Sequence, residues 1–121
     1  MRASRLFGLI TAVLASGIFP SASAQEDVRS ANWVLPGCRS LLAGTGGDDL
    51  DFRAGVCAGV VGTFRDLGSG AVPPYCIPDV VATGQVVRVV VNFIERNPDR
   101  MREWFGVLAL EALRDAWPCK P

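Results

Sequence analysis

Residues 83–96 read Thr83-Gly84-Gln85-Val86-Val87-Arg88-Val89-Val90-Val91-Asn92-Phe93-Ile94-Glu95-Arg96, and the fold turns on whether this stretch is a strand or a helix. Val86, Val87, Val89, Val90 and Val91 all have high strand propensity. The polar positions decide otherwise. Gln85, Arg88, Asn92 and Glu95 recur at spacings of three, four and three, which places them on one solvated helical face, whereas a half-buried strand would alternate every second residue. With this stretch read as helix, the chain is all-α.

Toward the C-terminus, Asn97 and Pro98 read as the cap and first residue of a further helix, with Asp99 and Glu103 in its early turns. Met101, Trp104 or Phe105, Leu108, Ala112 and Ala116 make its buried stripe, and Pro118 ends it. Toward the N-terminus, Gly68, Gly70, Pro73, Pro74 and Pro78 mark a loop that carries Cys76. Before it, Asp48 or Asp49 caps a helix over Leu50–Leu67, with Asp51 in its first turn and Gly68 as its stop. Gly55, Ala58, Gly59 and Gly62 gather small side chains on one side of that helix, a seam for close packing by another helix. Each interior glycine is about 1 kcal/mol worse than alanine, so the helix depends on tertiary contacts. Gly44-Thr45-Gly46-Gly47 is a loop, and a first helix spans about Ala31–Leu42, its regular part starting near Pro36. Trp33, Trp104 and Trp117 are expected in the core.

The chain has 121 residues. Arg2 and Arg5 precede an apolar run, Leu6 to Phe19, followed by Ala22-Ser23-Ala24. This is the pattern of an export signal over residues 1–24, cleaved before Gln25. The run is too short for a retained membrane anchor, which needs roughly 20 residues. Residues 25–121 then form one domain. A chain of that size buries only about 60 to 65% of its unfolded surface, so covalent staples matter.

Cys38, Cys57, Cys76 and Cys119 all lie in the exported part, and an even count in an oxidising compartment reads as two disulfides. There is no histidine and no C-x-x-C pair, which removes the usual metal sites and redox motifs. Four cysteines allow three pairings. The helix order favours one of them. If the last two helices are joined by at most two residues they run antiparallel, which brings Cys76 beside Cys119; a hairpin of the first two lets Cys38 reach Cys57. The fold expected is a small four-helix domain of two helical hairpins, stapled by Cys38 with Cys57 and Cys76 with Cys119.

Without histidine, Ser/His/Asp and Cys/His nucleophile activation are excluded. Carboxylates remain the only acid–base groups; Asp48, Asp49 and Asp51 cluster, and two of them could serve a glycosidase-like mechanism, but their place at a helix start is better explained by capping. Gly-Thr-Gly-Gly at 44–47 lacks the Lys-Ser/Thr of a phosphate loop. Twelve basic and twelve acidic residues balance to zero and are interspersed, which argues against nucleic acid as a ligand. A binding protein without cofactor or metal is expected, not an enzyme.

Several pieces in order resemble the Rap/Tai family of type VI secretion amidase immunity proteins. They are Gly37-Cys38, Gly55-Val56-Cys57-Ala58-Gly59, Cys76-x-Pro78, Gly84-Gln85-Val86-Val87-Arg88-Val89-Val90 with Asn97-Pro98, and Leu110-Glu111-Ala112-Leu113 running into Ala116-Trp117-Pro118-Cys119. The resemblance implies a periplasmic, disulfide-containing helical protein that binds a peptidoglycan amidase and blocks its active-site groove; a homodimer is a further assembly open to it. A small periplasmic stress or chaperone-like protein is the alternative.

For such an inhibitor two contact surfaces are candidates. One is the Leu67–Pro78 loop with Tyr75, whose simpler reading is a connector pinned by Cys76. The other is the polar face of Gln85, Arg88, Asn92 and Glu95, whose simpler reading is a solvated helix face.

Overall fold

The computed structural model describes Gly17 and residues 26–121. The leader reading for residues 1–24 and the cleavage point before Gln25 lie outside the described residues, Gly17 apart. Four α-helices make up the domain: α1 (Ala31–Ala43), α2 (Asp48–Leu67), α3 (Thr83–Glu95) and α4 (Phe105–Ala116). Among the described residues there is no strand, only two single-residue antiparallel pairings, Ser30 with Trp104 and Tyr75 with Pro118.

The helix α1 starts at Ala31, as its span in the sequence suggests, and it is regular from there and not only from near Pro36. Ser30 caps it, its Oγ accepting from the Trp33 N–H at 3.3 Å, and Pro36 sits inside the helix instead of opening it. Tertiary bonds hold the turn before Pro36: Ala31 N–H donates to Glu103 O at 3.0 Å and Asn32 N–H to Met101 O at 2.9 Å. These bonds satisfy amides that an isolated helix leaves without acceptors. At the other end Gly44 adopts the left-handed conformation, φ 67°, and its N–H returns to Ser40 O, a common glycine stop.

One residue after Pro36, α1 crosses α2 at Gly37. A Cβ built there would lie 2.5 Å from Ala54 N and closer still to the Arg53 carbonyl carbon. Only the missing side chain permits this approach. Next to the crossing, the Cys38 and Cys57 sulfurs are bonded, with Cα atoms 5.4 Å apart. Arg53 seals its edge, stacking over the Trp33 ring at 4.8 Å and donating to Trp33 O at 3.1 Å. Its Nε lies 2.9 Å from Asp49 Oδ2, close enough for an ion pair but not aligned as a hydrogen bond.

Helix α3 buries Val86, Val87, Val90, Val91 and Ile94 and exposes Gln85, Arg88, Asn92 and Glu95, so helical spacing overrides the strand propensity of the valines. Gln85 Oε1 accepts from the Ala82 N–H at 3.1 Å and caps the start.

The fourth helix differs from expectation. Asn97-Pro98 opens only a 3₁₀ turn, Pro98–Arg100, and α4 starts at Phe105. The link from α3 to α4 is therefore longer than two residues. Backbone pairing accounts for the break: the carbonyls of Met101 and Glu103 serve the first turn of α1, and Phe105 N–H donates to Arg29 O at 2.7 Å. Arg100 fixes the turn, binding Glu103 (2.5 and 2.9 Å) and Glu111 of α4 (2.6 and 2.9 Å). Restarting the helix changes its stripe. Phe105, Leu108, Ala109, Ala112 and Leu113 are buried, Ala116 is exposed, and Trp104 is 53% exposed instead of being core. Trp33 is buried and Trp117 packs at the core's edge.

The second staple joins Cys76 to Cys119, Cα atoms 4.9 Å apart. Cys76 N–H donates to Trp117 O at 2.8 Å beside it, so the start of α3 lies next to the end of α4 and the two helices run antiparallel. The core between the two hairpins centres on Leu35, Val61, Val90, Ile94, Phe105 and Leu108, all fully or almost fully buried.

Candidate functional site

The acidic cluster occupies the first turn of α2, where Asp48, Asp49 and Asp51 meet the positive end of the helix. Asp49 is taken up by Arg53, and no group of metal-ligating side chains forms among the described residues. What the surface offers is shape.

The loop between α2 and α3 does not present Tyr75. That side chain is fully buried, and its O–H donates to Phe64 O, the carbonyl of the last turn of α2, at 2.5 Å. Burial holds its phenol above the ordinary value. Tyr75 is thus an internal anchor of the loop and not a contact residue. An aromatic between prolines and glycines looks exposed in sequence, and nothing local reveals that the loop folds back over the end of α2. The large apolar side chains the loop does present are Val72 and Val80, each 91% exposed, beside the exposed Pro73, Pro74, Pro78 and Asp79.

On α3 the expected polar face is solvated, and three of its four members come together. Arg88, Asn92 and Glu95 line an open cleft against Arg39 and Leu42 of α1, about 310 Å³ in volume. Arg39 Nε donates to Glu95 at 2.8 Å across it. Gln85 lies apart, engaged in capping Ala82.

A third surface was not anticipated. Val56 and Val60 of α2 face Trp104, Val107 and Leu110 across an apolar trough of about 350 Å³. The trough continues along α2 as a hollow of about 440 Å³ over Gly55, Gly59 and Thr63. Arg29 covers one end, its guanidinium 4.3 Å from the centre of the Trp104 ring. The small-residue face of α2 therefore does not receive another helix of the domain: Cβ atoms built at Gly55, Gly59 and Gly62 meet nothing within 4 Å. Spacing alone reveals that the small residues share a face, but not which way that face looks.

A stapled helical scaffold with an apolar trough, a polar cleft and a projecting loop defines a binding protein. The family model described as Rap1a immunity proteins matches residues 30–119, the whole of the helical domain. The chain belongs to that family. It is accordingly an immunity protein that acts by binding a partner effector, and it is not an enzyme. No match was found among curated proteins or among solved structures.

Proposed function

We propose that this protein resides in the periplasm and protects its cell by binding a peptidoglycan amidase delivered by type VI secretion and occluding the amidase active site. The observation that carries this reading is the family match over residues 30–119. The leader-like pattern of residues 1–24 and the two cysteine pairs fit an oxidising compartment outside the cytoplasm. No helix of the described residues is long and apolar enough to cross a membrane. Occlusion by surface contact suits a scaffold whose acidic cluster sits in the first turn of α2, where it meets the helix dipole and Asp49 pairs with Arg53. The cluster follows the N-cap Gly47 and makes no side-chain cap bond, so it does not cap the helix as expected.

The test is protection. Cells producing a periplasm-directed amidase from the same strain's type VI system should survive when this chain is co-exported and lyse when it is not, and the two proteins should co-purify. Lysis despite equal export of the chain, together with no complex at micromolar concentrations, would sink the reading. The open apolar trough favours a second one, a chaperone-like periplasmic protein that holds apolar segments under stress. Binding of a hydrophobic dye that stays flat from neutral to acidic pH would count against that role. The trough is also the face a homodimer would use, which light scattering on the purified chain would detect.

A further inference from the structure

The apolar trough between α2 and α4 opens beside a stripe of α2 whose charges say what can lie against it. Asp48, Phe52, Gly55, Gly59, Thr63 and Asp66 are all exposed, and at 3.6 residues per turn they fall within about 80° of one another around the helix. Between its two aspartates the stripe carries no charge. Thr63 Oγ1 donates to Gly59 O at 2.8 Å, which leaves Phe52, 65% exposed, and bare backbone at the two glycines. Next to it Val56 and Val60 face Trp104 and Val107 across the trough. The result is an apolar face with a carboxylate at each end, about 27 Å apart along the helix.

The cations that could neutralise those ends are used elsewhere. Arg53 serves Asp49 and Trp33 O, and Arg65 donates to Thr83 Oγ1 at 2.6 Å. Arg29, at the mouth of the trough, pairs with Asp27. Asp48 and Asp66 make no ion pair among the described residues, and the negative end of the α2 dipole adds to Asp66. A second copy laid along this stripe, parallel or antiparallel, sets carboxylate against carboxylate at both ends, an arrangement that repels. An extended peptide binds by adding to a sheet edge, and the described residues contain no strand. A helix brings its backbone bonds with it. Cβ atoms built at Gly55 and Gly59 meet nothing within 4 Å, so such a helix has room to approach closely.

We propose that this face binds an amphipathic helix of a protein partner, its apolar side in the trough and its lysines or arginines, one set at each end, paired with Asp48 and Asp66. The assignment deepens the immunity reading and rests on it for one point, that the effector supplies the helix.

The first probe is a synthetic amphipathic helix of about 20 residues with a leucine stripe and a lysine pair at each end, titrated by fluorescence anisotropy against the whole exported protein. A second peptide carries glutamates in place of the lysines. The Lys-ended peptide should bind, and the Glu-ended one about tenfold more weakly. Gly59→Gln puts a side chain into the contact and should weaken the Lys-ended peptide by about tenfold or more. Because glutamine is the better helix former, this variant should melt no lower than wild type, which separates lost contact from lost fold. Asp66→Lys should weaken the Lys-ended peptide by about fivefold and strengthen the Glu-ended one. No binding, equal binding of the two peptides, or wild-type affinity in Gly59→Gln would each overturn the proposal. So would a wild-type dimer that Gly59→Gln dissociates, since a second copy is then the occupant. The strain's own type VI amidase is titrated against the same proteins. An amidase that binds Gly59→Gln and Asp66→Lys as tightly as wild type keeps the immunity reading and removes this face from it. The expected peptide results with no amidase binding leave the face standing and refute the amidase.

Discussion

Gly37→Ala is the substitution for which the structure makes the sharpest demand. In a helix interior, glycine to alanine ordinarily stabilises by up to about 1 kcal/mol. At Gly37 the new Cβ would meet the backbone of α2, 2.5 Å from Ala54 N, where van der Waals contact requires nearer 3.5 Å. No side chain can rotate aside. The helices must part by about 1 Å at a crossing that the neighbouring disulfide holds shut, and overpacking of that kind costs about 1–3 kcal/mol. Taking the upper end for a backbone clash and subtracting the propensity gain leaves about 2 kcal/mol of destabilisation, or a fall in Tm of roughly 8–16 °C for a domain this small. The same replacement at Gly55, Gly59 or Gly62 meets nothing within 4 Å and should raise stability by up to about 1 kcal/mol. Urea unfolding of the four variants, with unchanged m-values, gives the comparison. A neutral or stabilising Gly37→Ala would show that α1 and α2 do not cross there.

Replacing Cys76 and Cys119 with alanine should destabilise by about 4 kcal/mol and replacing Cys38 and Cys57 by about 3 kcal/mol in the chain-entropy account, read as separate losses in denaturant midpoint. The Arg100 cluster predicts an acid limb. Hydrogen bonds from Arg100 hold the carboxyls of Glu103 and Glu111 below their ordinary value of 4.5; a depressed folded pKa adds stability above the unfolded value, and that stability is lost as pH falls through the folded one. Glu111→Gln should therefore lower stability at neutral pH and flatten its decline below about pH 4.5, a difference that thermal melts from pH 7 to pH 2 would resolve. Tyr75→Phe removes a buried hydroxyl bonded to Phe64 O and should cost about 1–2 kcal/mol in denaturant unfolding. Trp104→Phe should reduce acrylamide quenching of the intrinsic fluorescence, because Trp104 is 53% exposed while Trp33 is buried and Trp117 is partly buried.

Much of the architecture was legible because it rests on local periodicity. The positions of Gln85, Arg88, Asn92 and Glu95 fix both the state and the facing of α3, and glycine and proline bound the loops. What local pattern does not contain is competition for backbone groups. Asn97-Pro98-Asp99 carries good helix-start chemistry, and it still yields only a 3₁₀ turn, because α1 draws on the carbonyls of Met101 and Glu103. The same bonds let α1 begin before Pro36. The binding surface was less legible than the scaffold. Tyr75 and the glycines of α2 were recognisable as distinctive, but whether each looks inward or outward follows from how the hairpins dock. Arg114 gave no signal in sequence, since its partners, the carbonyls of Val72 and Pro73, lie about forty residues away.

The order of the cysteines along the chain has a kinetic consequence. Cys38 is joined to the next cysteine, Cys57, and Cys76 to the next after that, Cys119, so the two covalent rings neither overlap nor interlock. A chain oxidised as it emerges N-terminus first finds each correct partner as the next thiol to appear. Its native cross-links can form in sequence, with no shuffling by an isomerase.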